Sequence, residues 1–166
     1  MPIEVARITE AHAEGFRACL DAVARENRFL AQTEASPLER IKEFGRESVQ
    51  SNAAQYVALD GSVVIGWCDV FPGWAAAVRH CGSLGMGVLS AYRGRGIGSQ
   101  LIASTLAHAR QSGITRIELE VRADNVNAIR LYEHTGFVHE GRKRNGMRFN
   151  GVYFDSLAMA LTCEAV

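Results

Sequence analysis

A chain of 166 residues suits one domain and can bury a sizeable core without disulfides or metal. Its 18 basic and 18 acidic residues cancel, so bulk charge gives no reason to expect a nucleic-acid or membrane partner. The four cysteines, Cys19, Cys68, Cys81 and Cys163, are scattered through apolar or helical patterns and read as reduced core residues, not bridges.

No zinc spacing is present. His80 and Cys81 adjoin without a second close ligand, so no metal is expected. The N-terminus lacks a basic segment followed by an apolar one, and no apolar run is long enough to span a membrane. A soluble, cytoplasmic protein comprising one domain, 1–166, is the expectation.

Alternation predicts a first strand over Pro2 to Ile8, and Thr9 is placed to cap a helix carrying Phe16, Leu20 and Val23 on one face. Ser36-Pro37-Leu38-Glu39 reads as a capping box with proline at the first helical position, leading to an apolar stripe of Leu38, Ile41 and Phe44. Asp60-Gly61 predicts a hairpin between strands over Gln55–Leu59 and Ser62–Phe71. Pro72-Gly73 ends the second strand, and a further strand runs through Met86 and Val88.

A helix begins near Ser99, turns Leu101, Ile102, Thr105 and Leu106 inward, and ends at Gly113. A strand over Ile114 to Val121 and a helix over Asn125 to His134, stopped by Gly136, follow. Two closing strands, Phe137 to Arg148 and Val152 to Leu161, are joined by Asn150-Gly151. The order βααβββαβαββ predicts an α/β fold with a mixed, mostly antiparallel central sheet flanked by helices. Met86 to Val121 supplies one parallel crossover.

Arg93-Gly94-Arg95-Gly96-Ile97-Gly98-Ser99 lies between a strand and a helix start. That geometry offers free backbone N–H groups at the positive end of a helix, where phosphate binds. Arg93 and Arg95 could add charge-assisted contacts to the same anion. A P-loop would need a lysine that is absent. A dinucleotide fingerprint fails because its third glycine falls on Ser99 or Leu101.

Arg93, Gly96 and Gly98 instead meet the pattern Arg-x-x-Gly-x-Gly, and Val88 stands five residues ahead of Arg93. Downstream come Leu119-Glu120-Val121-Arg122, Asn125, Ala128, Leu131-Tyr132-Glu133 and Gly136-Phe137. In this order and separation the two motifs resemble those of the GNAT superfamily of N-acetyltransferases, over Met86 to Phe137. The resemblance implies a single-domain acetyltransferase fold whose two parallel strands splay to admit acetyl-CoA, used as cosubstrate. It implies cofactor contacts from Met86, Val88, Arg93, Gly94, Arg95, Gly96, Ile97, Gly98, Ser99, Asn125 and Asn127.

Acetyl transfer to an amine needs a base, a donor to the carbonyl oxygen and an acid for the leaving thiolate. A backbone N–H of the Met86–Leu89 strand is the candidate donor. Tyr132 matches the family tyrosine that serves as acid, and is otherwise a packing residue. Glu120 matches the glutamate, twelve before the tyrosine, assigned as base in the branch acting on ribosomal protein N-termini. It could equally be a strand-end acid bound to structural donors. Asp69 is an alternative base, and Glu34 a more remote one. Phe29, Phe71 and Trp74 fall in segments that flank the acceptor groove of this fold. Arg142-Lys143-Arg144 and Arg148 form a basic patch, read as a solvated hairpin surface or as a site for acidic substrates or the coenzyme's ribose phosphate.

The reaction expected is direct attack by a primary amine in a ternary complex, since no cysteine has a His/Asp constellation. The closing segment Asn150 to Asp155 and Met159-Ala160-Leu161 resembles branches acting on small amines such as amino acids and their analogues. A protein N-terminus or lysine is the alternative acceptor. A non-catalytic acyl-CoA-binding sensor is the rival of a different class. Exposed sheet edges make a homodimer a candidate assembly.

Overall fold

The computed structural model describes residues 2–163. Its strands and helices run β1 (Glu4–Arg7), α1 (Ala13–Ala24), α2 (Leu38–Gln50), β2 (Ala54–Asp60), β3 (Val63–Pro72), β4 (Cys81–Val88), α3 (Ile97–Gln111), β5 (Arg116–Arg122), α4 (Val126–Thr135), β6 (Val138–Phe149) and β7 (Val152–Thr162). This is the expected βααβββαβαββ order. The strands form one seven-stranded sheet in the order β1-β2-β3-β4-β5-β7-β6. Every neighbouring pair is antiparallel except β4 and β5.

Both hairpins form where turn chemistry places them. Gly61 takes φ +60° between β2 and β3, and Asn150 and Gly151 take +49° and +80° between β6 and β7. The paired positive φ values of Asn150 and Gly151 match the twist of a two-residue hairpin. Gly136, at φ +107°, closes α4.

Two details of the chain's first third differ from expectation. A 3-10 turn over Glu10–His12 precedes α1, with the Thr9 backbone N–H donating to His12 Nδ1 at 3.0 Å. The capping box at Ser36 does not form: α2 starts at Leu38 after Pro37, with no side-chain cap. The Ser36 carbonyl instead accepts a bond from Arg17 Nε at 2.8 Å, which ties this segment to α1. Leu38 is half-buried and Phe44 is largely exposed, so only Ile41 of the α2 stripe is fully interior.

The sheet is covered on both faces. Side chains alternate along β3. Trp67 turns toward α1, its ring 5.8 Å from Phe16, while the Cys68 carbonyl accepts from Thr105 of α3. Leu101, Ile102 and Leu106 of α3 join Ile65, Ile117 and Met159 in one core layer. Phe16, Leu20 and Val23 of α1 join Ile8, Val57 and Trp67 in the other. Each fully buried aliphatic side chain contributes about 1.5–3 kcal/mol relative to exposure. Cys19 and Cys68 lie in these layers, whereas Cys81 and Cys163 are only half-buried; all four are free thiols.

Candidate active site

The β4–β5 ladder is short. It runs from Cys81 with Arg116 to Ser83 with Glu118 and stops, although β4 continues to Val88 and β5 to Arg122. Leu89 donates its N–H to Ile65 of β3, so backbone alternation turns the N–H groups of Met86 and Val88 toward the side β5 has left. An unpaired strand edge inside a cleft is a row of donors and acceptors that the amides of a ligand can complete.

A cleft of about 810 Å³ opens at this split. Met86, Val88, Arg93, Gly94, Gly96, Ile97, Gly98, Ser99, Glu120, Asn125, Asn127 and Tyr132 all border it. At its mouth Gly94 and Gly96 adopt φ +75° and +77°, the left-handed region that side chains disfavour. The first backbone bond of α3 is Gln100 N–H to the Gly96 carbonyl, which leaves the N–H groups of Ile97, Gly98 and Ser99 without backbone partners. Together with the helix dipole they form an anion-binding end.

The two loop arginines are engaged by the protein itself. Arg93 donates from Nε to the Val88 carbonyl at 2.8 Å and from its two terminal nitrogens to Glu26 at 3.0 and 2.8 Å. It also covers the Phe29 ring at 4.9 Å. Arg93 thus clamps the loop to α1 and β4. Arg95 does not border the cleft; it donates to the Ala91 carbonyl and lies over Tyr92. The backbone, not these two charges, is left to receive a phosphate.

Tyr132 stands on α4 with its ring 5.8 Å from Phe137 and is only 8% exposed. Burial pushes its phenol well above the ordinary range, so it stays protonated through neutral pH. It packs with Leu119 and Val121, which places it on the α3/α4 side of the split. Asn125 caps α4 by accepting the Ala128 N–H at 3.3 Å, and its side-chain nitrogen is free of that bond. Asn127 is exposed on the first turn of α4.

Glu120 alternates with Leu119 and Val121 and so faces the other side. Lys143 Nζ donates to it at 2.6 Å and Ser156 Oγ donates at 2.6 Å. These donors, Lys143 first, hold its carboxyl below the usual carboxylate range. Glu118 pairs with Arg116 away from the cleft. Asp69 is partly buried on β3 opposite Gly85; Gly85 lines the cleft and Asp69 does not.

The remaining candidates separate. Phe29 borders the cleft. Phe71 instead meets Phe44 at 5.1 Å, and Trp74 is 92% exposed; neither borders it. Glu34 lies 3.5 Å from Arg25, outside the cleft. In the basic patch, Arg142 pairs with Asp155 and Lys143 with Glu120, while Arg148 lies over Tyr153. The sequence reading missed Glu26, Leu30, Ala31, Gly146 and Met147. The last four border the cleft, and no local pattern marks any of them.

The sequence profile of the acetyltransferase (GNAT) family matches residues 16–137. The chain belongs to the GNAT family. Among curated relatives, it is 46% identical over 52 residues to a mycothiol acetyltransferase of Corynebacterium glutamicum, covering 31% of this chain and 18% of that protein. It is 44% identical over 66 residues to the N-alpha-acetyltransferase RimI of Mycobacterium tuberculosis, covering 40% of each. These matches span less than half of either relative. A GNAT phosphinothricin acetyltransferase from Sinorhizobium meliloti, solved in complex with acetyl-CoA, shares the fold with a TM-score of 0.90 at 16% identity, covering 98% of this chain and 89% of that one.

The GNAT cleft of this chain fits acetyl-CoA by its own chemistry. The unpaired β4 edge suits the pantetheine amides, and the bare α3 N-terminus suits the pyrophosphate. A Cβ at Gly98 would stand 3.2 Å from Leu131 and 3.4 Å from Met86, so glycine there keeps the wall between loop and α4 thin. Among the described residues no group of three or more His, Cys, Asp or Glu side chains is arranged to hold a metal ion, and no helix is long and apolar enough to cross a membrane.

Proposed function

We propose that this protein is an acetyl-CoA-dependent N-acetyltransferase acting on a small primary amine by direct attack in a ternary complex. The observation that carries the reading is the split between β4 and β5, bordered by Tyr132 on one face and by Glu120 on the other. Acetyl-CoA, when bound, supplies an acyl carbon activated as a thioester.

The chain's residues then have separable tasks. The β4 N–H groups at Met86 and Val88 orient the bound chain and offer a donor to the carbonyl oxygen. Tyr132 holds a proton at its phenol oxygen for the departing sulfur. On the opposite face a carboxylate receives the acceptor's proton, since an alkyl ammonium titrates near 10 and is charged at neutral pH.

The walls of the cleft suit a small acceptor. Phe29, Leu30 and Ala31 wall the cleft on one side and Gly146 and Met147 on another, which gives a small amine apolar surface to pack against. The test is thiol release from acetyl-CoA against amino acids, polyamines, aminoglycosides and peptides. Turnover concentrated on one class of small amines is expected. Turnover confined to peptides would move the acceptor to a protein N-terminus or lysine, and tight acetyl-CoA binding without turnover would identify a sensor.

A further inference from the structure

We infer that Asp69, lying over Gly85 of the neighbouring strand, takes the acceptor's proton, and that Glu120 is a positioning residue for the wall built by β6. The inference rests on the acetyl-transfer reading above.

β3 and β4 pair with Trp67 opposite Gly87 and Asp69 opposite Gly85. The two β4 positions are bare, and the β3 side chains occupy the strip they leave. A Cβ at Gly87 would run into the Trp67 ring, and one at Gly85 would stand 3.0 Å from Asp69 Oδ1. Trp67 meets Phe16 of α1 and Phe71 meets Phe44 of α2, so Asp69 between them lies on the α1/α2 face. Gly85 belongs to the stretch of β4 that β5 has left and lines the cleft. Asp69 does not itself border the cleft; its carboxyl stands over Gly85, whose backbone does, so it lies one glycine away from the space beside the acyl group.

No described cation forms an ion pair with this carboxyl. Its β2 neighbour Gln55 accepts from Ser48 of α2. Lys42 and Arg46 of α2 line a separate hollow beside Gln55, Cys68 packs in the layer on the other face, and Lys143 is bound to Glu120. Burial pushes the Asp69 pKa up to about 7, against the opposing effect of the Gly85 backbone N–H. A base near the working pH is efficient.

Glu120 is placed differently. Its two donors, Lys143 and Ser156, make it a weak proton acceptor at neutral pH. Lys143 ties it to the irregular stretch of β6 between Lys143 and Met147, and Ser156 to β7, on which Gly146 packs; Gly146 lines the cleft with Met147. The proton balance closes with one base and one acid. An ammonium becoming an amide N–H loses two protons as the N–C bond replaces the C–S bond. Asp69 passes one to solvent, and the second balances the proton that Tyr132 gives to sulfur.

The test compares wild type, Asp69→Asn and Glu120→Gln by kcat/KM against pH on the best amine of the panel. It adds ¹³C-carboxyl NMR titration of side-chain-labelled protein, with acetyl-CoA affinity by calorimetry certifying each variant as folded. An aspartate signal titrating near 7 is expected, absent from Asp69→Asn. That variant should lose about 10²-fold or more in kcat/KM and lack the acidic limb, in keeping with the worth of a general base. Glu120→Gln should keep the limb and raise KM for the amine more than it lowers kcat. An acidic limb lost in Glu120→Gln and kept in Asp69→Asn overturns the inference, as does the absence of any aspartate titrating between about 6 and 8. A wild type that binds acetyl-CoA and acetylates nothing overturns the transfer reading itself, and the base role with it.

Discussion

The Arg93 guanidinium closes on the Glu26 carboxylate with two parallel bonds of 2.8 and 3.0 Å, joining the glycine loop to the end of α1. The fork is directional and partly shielded, and a third bond fixes it to the Val88 carbonyl. Arg93→Ala removes all three and the cover over Phe29. A loss of about 1–2 kcal/mol in urea unfolding is expected. A several-fold rise in KM for acetyl-CoA with kcat nearly unchanged should accompany it, because the loop's backbone donors lose their alignment. Glu26→Gln should move both quantities the same way by less. An unchanged KM in both variants would show that the loop holds its shape without the clamp.

Much of the fold was legible because its signals are local. Asp60-Gly61 and Asn150-Gly151 set their turns through the φ values those residues accept, and Gly136 stops α4 for the same reason. The glycine loop was legible as an anion site through the α3 N-terminus that follows it. Partnerships across the sheet were not. Arg93 meets Glu26 from 67 residues away, and Asp69 meets Gly85 only through the β3–β4 register. Ser36 shows the converse: a local capping pattern does not form, and the segment is held instead by a tertiary bond from Arg17 to the Ser36 carbonyl. For Glu120 the sequence leaves two readings open, a base by resemblance and an acid held by structural donors; its donors Lys143 and Ser156 come from β6 and β7, which no local pattern could name.

Tyr132→Phe separates catalysis from packing. The phenol takes no hydrogen bond from any described protein group while its ring packs in the core, so the variant should unfold within about 0.5 kcal/mol of wild type. Its kcat should fall by about 10²-fold or more if the phenol is the acid. Equal kcat in the two proteins would return Tyr132 to a packing role.

Gly87→Ala tests the bare strip of β4. The added methyl meets the Trp67 ring, which is held by Phe16 and only 3% exposed. Overpacking of this kind costs about 1–3 kcal/mol. A drop in the urea midpoint at unchanged m-value is expected. Gly94→Ala meets no neighbour within 4 Å, yet its φ of +75° makes it costly by about 1 kcal/mol through strain alone. A neutral Gly87→Ala would mean that Trp67 can swing aside, and would weaken the case that glycine there is required by the ring.

Asp69 also carries a stability signature independent of turnover. Its folded pKa, about 7, lies above its ordinary 3.8, so the folded state binds more protons than the unfolded chain between those values. Stability must then fall as pH rises through that window, with the full contribution present below it. Asparagine keeps the shape and never ionises. Asp69→Asn should therefore nearly match wild type near pH 4 and exceed it by about 4 kcal/mol at pH 8. Glu120 has the opposite sign: its carboxyl is held low by Lys143 and Ser156, so its contribution is present above its ordinary pKa and is lost as pH falls through the depressed one. Urea unfolding at pH 4, 6 and 8 distinguishes the two. A variant whose advantage over wild type grows with pH identifies an aspartate that folding strains when charged, as expected of a carboxylate kept for proton transfer. A flat difference would place Asp69 among ordinary ionised carboxylates and leave the cleft without a base on its acceptor face other than Glu120.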